Sequence, residues 1–290
     1  MRPLFSIILP TFNREKVLGR SISSIINQTY SEWELIIIDN MSIDSTSEIV
    51  KNFKDSRIKY FSISNNGLIA KSRNFGISKS SGEFIAFIDS DDWWKKDKLK
   101  NCLECIKDGK KFLYHNGYIN KDYLFFSKKI KFFRKVNYPV YEDLINNGPA
   151  FPMSSVVIQK KLFSKINFFK EDKFSNWDDF DAWLRLSKIF NDFYCIDKAL
   201  VNIGIDKNNG LTPQVQIDMI EDMKQIYFKA KNENNVNLPN WCCFAMTIAL
   251  FRKKNYKKAQ VFLNEIKFDK LTFQNKIKVF VLKIFLKLKK

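Results

Sequence analysis

The chain has 290 residues, 45% of them apolar, and a formal net charge of +18. That length and apolar content suit one large α/β domain with an appendage and exclude a wholly disordered chain. No run reaches the ~18 apolar residues a membrane-spanning helix needs, and the opening MRPLFSIILPTFN meets Pro10 and Asn13 too early for a signal peptide.

Five cysteines, an odd count with no regular framework, point to reduced thiols in a cytosolic protein. Cys102 and Cys105 form a C-x-x-C without the second pair or nearby His that zinc requires, so they read as small apolar residues on a helix. The charge is uneven. Residues 251–290 hold 13 Lys or Arg against two acids, Glu265 and Asp269. Such a surplus suits an anionic membrane or a nucleic acid.

In chain order, apolar runs alternate with helical spacing. Phe5–Leu9 is a strand ending at Pro10, and Glu15–Ile26 carries Val17, Leu18, Ile22, Ile25 and Ile26 on one helical face. Leu35–Ile38 is a second buried strand, stopped at Asp39. Asp44–Phe53 reads as a helix, with Ser42 or Asp44 as its cap. Ile58–Ile63 is a third strand, Gly67–Ser80 a helix after a glycine turn, and Phe84–Ile88 a fourth strand. This order predicts a mostly parallel sheet with helices on both faces. Ligands of such sheets sit at the carboxyl ends of the strands. The polar punctuation falls there: Pro10 to Arg14, Asp39-Asn40, Asn65-Asn66-Gly67 and the acids after Ile88.

Those acids, Asp89, Asp91 and Asp92, repel one another unless a cation sits between them. Spaced D-x-D, they can offer oxygens to Mg²⁺ or Mn²⁺, which also favours phosphate oxygens and would neutralise a diphosphate leaving group. The structural alternative is capping of a helix over Asp97–Ile106.

The strings PTFNR (10–14), SISSIINQTYSEWELIIIDNMSIDST (21–46), NNGLIAKSRNFGISKSSGEFIAFIDSDDWW (65–94) and DKL (97–99) resemble family-two glycosyltransferases of the GT-A fold. The likeness runs nearly unbroken over the first hundred residues. It implies a GT-A fold with a mostly parallel central sheet, helices on both faces and a helical C-terminal extension. It also implies inverting transfer of a sugar from a nucleotide-sugar. By resemblance, Pro10, Phe12 and Arg14 pack on the base and ribose, and Asn66, Gly67 and Ser90 also border the nucleotide-sugar. Asp39-Asn40 stands where relatives carry two acids. The Asn40 amide oxygen can accept from a uracil N3–H, which leaves a uridine or a thymidine nucleotide open. Arg73 matches the basic residue beside the diphosphate. Asp89 and Asp91 match the metal-binding motif, with Asp91 the direct ligand of Mn²⁺ or Mg²⁺.

The second half matches more thinly, through MSSVVIQKKLF (153–163) and NWDDFDAWLRL (176–186). The latter aligns Asp179 with the catalytic base, which takes the acceptor hydroxyl proton. Asp178 stands beside it and raises its pKa. Asp178, Asp181 and Arg185 share a helix face at pairing distance, which reads as structural. Residues 202–212 lie where relatives often close the donor site, but carry no His. The single histidine, His115, lies in an apolar run and reads as structural. Acceptor contacts are expected in 112–160.

The domain reading is 1–215 for the transferase, with 1–100 holding the nucleotide-sugar and 101–215 the acceptor and base, and 216–290 for a basic helical extension. Over Gln274–Lys290, a helix sets Lys276, Lys283, Lys287 and Lys290 on one side and Ile277, Val281, Ile284, Phe285 and Leu288 on the other, with Lys278 and Lys289 breaking the apolar side. This reads as a helix on an anionic membrane; the alternative is a helix docked on the domain. The expectation is a cytoplasmic enzyme, peripheral on the inner face of the membrane, with a glycan or lipid-linked acceptor and no nucleic acid. The competing readings are a basic nucleic-acid-binding protein and an inactive membrane-associated scaffold of the same fold.

Overall fold

Phe5–Thr11 (β1) and Trp33–Asp39 (β2) are buried along their whole length, as apolar runs must be when a parallel sheet is covered on both faces. A computed structural model describes residues 4–121, 130–131, 134–171, 177–205, 238–268 and 273–287, with isolated helical positions at 218, 221, 222 and 225. After β1 and α1 (Leu18–Ile26) come β2, α2 (Thr46–Lys51), β3 (Ile58–Ser62), α3 (Ile69–Lys79) and β4 (Phe84–Phe87). There follow β5 (Trp93–Trp94), α4 (Lys98–Lys107), β6 (Phe112–Lys121), β7 (Ile130–Lys131), α5 (Val140–Asn147), β8 (Val157–Gln159), α6 (Lys160–Ser164), α7 (Asp178–Ser187) and β9 (Phe193–Ile205). The chain divides into two compact units, residues 1–140 with 150–209 and residues 141–149 with 210–290.

In the larger unit the sheet order is β3-β2-β1-β4-β8-β6-β9-β5, with β7 on β6. The expected parallel pairing holds over β3-β2-β1-β4. Beyond β4 the sheet is mixed, because β8 runs antiparallel to both β4 and β6. Side chains alternate across the sheet. Ile7, Leu9, Leu35, Ile37, Ala86 and Ile88 join Leu18, Ile22 and Ile25 of α1 and Leu99 and Cys102 of α4 in one core. On the other face Gly76 of α3 lies against Ile38 and Ile8. Phe87 meets Phe163 of α6, whose ring also neighbours Trp183 of α7.

The first three helices start later than their spacing predicts, at Leu18, Thr46 and Ile69 instead of Glu15, Asp44 and Gly67. The N–H of Arg14 donates to Thr46 Oγ1 at 2.8 Å, and that of Glu15 to Asp44 Oδ2 at 3.1 Å. Side chains 29 to 32 residues away thus take donors that a first helical turn leaves free. Asp44 also accepts from the Thr46 N–H, whereas Ser42 caps nothing: its hydroxyl donates to Asp39.

At the amino ends of the strands, buried Glu34 accepts from Ser6 Oγ at 2.6 Å, Ser81 N at 2.6 Å and Lys59 Nζ at 2.7 Å. Burial opposes its charge, but the Lys59 ammonium and the Ser6 and Ser81 donors outweigh burial and hold its pKa at about 2. The network fixes the turn before β4, where a Cβ on Gly82 would stand 2.7 Å from Ser6 N.

In the smaller unit, α8 (Asn240–Arg252), α9 (Tyr256–Glu265) and α10 (Phe273–Lys287) surround Cys242, Cys243, Met246, Leu250, Leu263, Val279 and Leu286. Among the described residues, no helix is long and apolar enough to cross a membrane.

Gly82→Ala is expected to lower stability by about 1–3 kcal/mol, because its methyl meets backbone that cannot yield. The measurement is a urea melt, with a lower midpoint at unchanged slope.

Candidate active site

The parallel register aligns the strand ends: Thr11 pairs with Asp39, and Asp39 with Ser62. The β1–β4 ladder stops at Ile8–Phe87, two residues before Pro10. Proline has no N–H to continue a ladder, so the two strands part there. Four loops therefore rise along one edge: 12–17, 40–45, 63–68 and 88–92.

Asp39 and Asn40 organise the β2 and β3 side of this edge. Asp39 is buried, and both its oxygens are taken: Oδ1 by Ser42 N at 3.1 Å and Ser42 Oγ at 2.5 Å, Oδ2 by the Tyr60 hydroxyl at 2.5 Å. Ser42 Oγ in turn accepts from Asn13 N at 2.8 Å. Asn40 Oδ1 accepts from Asn65 N at 2.9 Å, so one lone pair of the oxygen assigned by resemblance to a uracil already has a partner. Asn65 also accepts from Gly67 N at 2.8 Å, closing the turn in which Asn66 and Gly67 both have positive φ. Asn66 Oδ1 accepts from Ser64 Oγ at 2.9 Å. Pro10 is buried inside β1, whereas Phe12, just beyond it, is 50% exposed with Met41 and Ile43 also open to solvent. An aromatic left open at a strand end can stack on a planar group.

The acidic turn follows β4. Asp89 N donates to Ser154 Oγ at 2.9 Å. Ser21 Oγ donates to Ser90 O at 2.8 Å and Asp92 O at 2.5 Å, and Arg20 Nη2 to Asp91 O at 3.2 Å. Asp92 is buried and accepts from Gly204 N at 3.0 Å. Neither Asp91 nor Asp92 caps the next helix, whose N-cap position is Asp97. Burial first, then the Asp89 charge, pushes Asp91 up, while Arg14 and Arg20 pull it down. Burial, Asp89 and Asp91 drive Asp92 well above the carboxylate range. The turn is short of positive charge, the condition that a cation between carboxylates relieves. Among the described residues no three His, Cys, Asp or Glu side chains form a ligand set.

Arg73 of α3 joins this turn to α7. It is buried, its Nη1 lies 2.9 and 2.7 Å from the two Asp178 oxygens, and its Nη2 donates to Asp89 Oδ1 at 3.0 Å. Asp178 is therefore not part of the helix-face pairing expected for it. Asp181 alone pairs with Arg185, at 2.7 Å, while Asp178 belongs to a partner 105 residues away. Burial opposes the charge on Arg73, but Asp178 and Asp89 hold it firmly protonated. Asp179, next along α7, has its pKa pushed up to about 7, first by burial and then by the Asp178 charge, against the pull of Arg73. Its Oδ1 accepts from Phe180 N at 2.6 Å.

The structure thus brings Arg14, Arg73, Asp89, Asp91 and Asp179 into one electrostatic group. Phe12, Asp39, Asn40, Asn66 and Gly67 lie farther along the same edge, on the loops of β1, β2 and β3. His115 is buried and neutral, its pKa far below the usual value because burial excludes the charge. None of the described cysteines forms a disulfide. Residues 206–212 and 172–176 lie outside the described residues, as do 122–129 and 132–133 of the acceptor stretch. Sequence reasoning gave no role to Arg20, Ser21, Ser154 and Gly204. Of these only Gly204 carried a signal, a glycine within a strand marking close approach of backbone: its Cβ would stand 2.3 Å from Asp91 O.

The family model for glycosyl transferase family 2 matches residues 6–170. A relative from Escherichia coli, the UDP-Glc:alpha-D-GlcNAc-diphosphoundecaprenol beta-1,3-glucosyltransferase WfgD, is 30% identical over 88% of this chain and 98% of its own length. A Campylobacter jejuni GalNAc(5)-diNAcBac-PP-undecaprenol beta-1,3-glucosyltransferase is 36% identical over 41% of this chain and 40% of its own. In shape, Staphylococcus aureus TarS 1-349 in complex with UDP matches with a TM-score of 0.62 at 19% identity, over 95% of this chain and 77% of TarS. The Pyrobaculum calidifontis mannosyltransferase PcManGT, in complex with GDP-Man and Mn2+, also matches at 0.62, with 16% identity over 99% and 81% of the two chains. The parallel strand ends, the acidic turn and the matched residues agree: the chain belongs to glycosyl transferase family 2.

Proposed function

We propose that this glycosyltransferase moves glucose from UDP-glucose to a saccharide carried on a lipid diphosphate, with inversion, in the synthesis of a surface polysaccharide. The grouping of Asp89, Asp91 and Asp179 around buried Arg73 carries the reading. The donor's base lies by Phe12 and Asn40, its ribose by Pro10 and Asp39, and its diphosphate by Arg14 and the acidic turn. The donor and acceptor classes follow those named for the Escherichia coli relative.

In this reading Asp179 takes the proton of the acceptor hydroxyl as that oxygen attacks the anomeric carbon from the face opposite the diphosphate. A base with a pKa of about 7 combines a useful ionised fraction at neutral pH with real proton affinity. Arg73 is a positioning residue: it fixes Asp178 beside the base and Asp89 in the turn. Asp89 and Asp91 would hold Mn²⁺ or Mg²⁺, which as a Lewis acid stabilises the departing diphosphate. The basic C-terminal end meets an anionic bilayer on the cytoplasmic side, keeping the enzyme beside a lipid-linked acceptor.

The direct test is a panel of nucleotide-sugars offered with Mn²⁺ and a GlcNAc-diphospholipid. UDP-glucose should be consumed fastest with sugar transfer to the lipid; no turnover of any nucleotide-sugar would defeat the proposal. Asp179→Asn should keep donor binding and lower turnover roughly 10²–10⁴-fold, the usual loss for a general base. Protonated Asp179 cannot accept a proton, so kcat should fall as pH drops below about 7, and the variant should lose that limb. If Asp179→Asn is active and Asp178→Asn is dead, the base is the earlier residue. Asp91→Ala should weaken UDP binding in Mn²⁺ and abolish transfer, and EDTA should silence the wild type until Mn²⁺ is restored. Activity indifferent to both treatments would exclude the metal.

A further inference from the structure

α10 (Phe273–Lys287) has two apolar faces. Val279 and Leu286 are buried against α8 and α9, with Leu282 packed beside them. Ile277, Phe280, Val281, Ile284 and Phe285 lie between 41% and 59% exposed. With 3.6 residues per turn, those five cover a stripe of roughly 140° on the side away from Val279 and Leu286. The helix is already docked, so this outer stripe is not needed to hold it in place. Isolated exposed apolar residues are ordinary, but a contiguous set marks a surface that meets something else.

The border of the stripe indicates what it meets. Lys276 and Lys283 sit at one edge, half-buried, with their ammonium groups 5.7 and 5.6 Å from the Phe268 ring. Such stems lie along apolar surface while the charge stays at a polar boundary. At the other end of the same unit, a cavity of about 770 Å³ is lined by Lys253, Lys254, Lys257, Tyr256 and Leu286. Its floor is therefore a residue of α10, and its rim is cationic. Residues 238–268 and 273–287 together hold ten Lys or Arg and one acid, Glu265. Two copies joined through this stripe would set that charge against itself. A phosphate-bearing apolar layer matches both features at once.

We infer that the outer face of α10 is the bilayer-docking face of this chain, and that the Lys253, Lys254 and Lys257 cavity takes the phosphate of an anionic phospholipid headgroup. The inference rests on the reading that the C-terminal end meets a membrane, and it names the residues that do so. The helix lies in the interface as part of a folded unit, with its outer side chains at the depth of the acyl boundary. At 15 residues, α10 is too short to span the hydrocarbon core.

Vesicle sedimentation of the full chain tests this, with phosphatidylglycerol and with phosphatidylcholine vesicles. Phe280→Gln with Phe285→Gln should weaken binding to phosphatidylglycerol at least about tenfold, because two aromatic anchors leave the acyl boundary. Lys253→Gln, Lys254→Gln and Lys257→Gln together should remove most of the preference for phosphatidylglycerol. Both variants carry only solvent-facing changes, so both should keep the wild-type melting curve and UDP-glucose hydrolysis. A wild type that ignores phosphatidylglycerol overturns the membrane reading and this face with it. A wild type that binds, with a phenylalanine variant binding equally well, overturns the face alone. A wild-type dimer that the phenylalanine changes split, with vesicle binding unaltered, makes the stripe a self-contact and overturns the inference.

Discussion

A buried guanidinium holds the reaction centre in one piece. Removing Arg73 from water is expensive, and a single carboxylate rarely offsets that in a protein interior. Here Asp178 and Asp89 share the charge, and both terminal nitrogens reach carboxylate oxygens within 3.0 Å. Among the described residues the Nε has no hydrogen-bond partner, so the contacts described hold the group from its outer end. These contacts tie α3 and the turn after β4 to the start of α7, 105 residues beyond Arg73. They also set chemistry. Burial and Asp178 push the Asp179 pKa up, Arg73 pulls it down, and the balance falls at about 7. Arg73 therefore works as a scaffold and as a control on proton affinity.

The same interaction shows where sequence reasoning stops. The strands were legible because a parallel sheet covered on both faces needs unbroken apolar runs, and FSIIL, LIII and FIAFI are such runs. The acidic turn was legible because it sits at the end of one of them. Asp178 was misread because the only partners visible along a sequence are those at helical spacing, Asp181 and Arg185. Its actual partner is fixed by the packing of α3 on the sheet. Ser154 is similar: its hydroxyl receives Asp89 N, and its carbonyl receives Trp94 Nε1 at 2.9 Å and Lys98 Nζ at 3.1 Å. Nothing in MSS announces a hub. On α10 Ile277, Val281, Ile284 and Phe285, read as apolar from spacing, are exposed, while Val279 and Leu286, which dock the helix, did not stand out; Leu288 lies outside the described residues.

Mixed pairing beyond β4 has a functional consequence. β8 turns antiparallel, and β9 runs back past the acidic turn, so Gly204 can donate to Asp92 from the side opposite Ser21. The turn is gripped by Ser21 and Arg20 from α1, by Ser154 before β8 and by Gly204 on β9. A loop carrying repelling charges would otherwise open. The second half of the chain therefore contributes geometry to the motif itself, through Ser154 and Gly204.

Charge at the centre runs against charge in the chain as a whole. The protein is strongly basic, yet around Arg73 the carboxyl groups of Asp89, Asp91, Asp92, Asp178 and Asp179 outnumber the guanidiniums of Arg14, Arg20 and Arg73. The upward shifts of Asp91 and Asp92 express that deficit in the acidic turn: without added positive charge, protons supply it. A divalent cation would supply the same two charges in place of protons, so its binding and proton release are linked. A nucleotide diphosphate approaching this edge meets Arg14 and Arg20 over an acidic floor, and the floor favours it only once the deficit is filled. The excess of carboxylates is thus a physical reason why an anionic diphosphate would be favoured at this edge only with added positive charge.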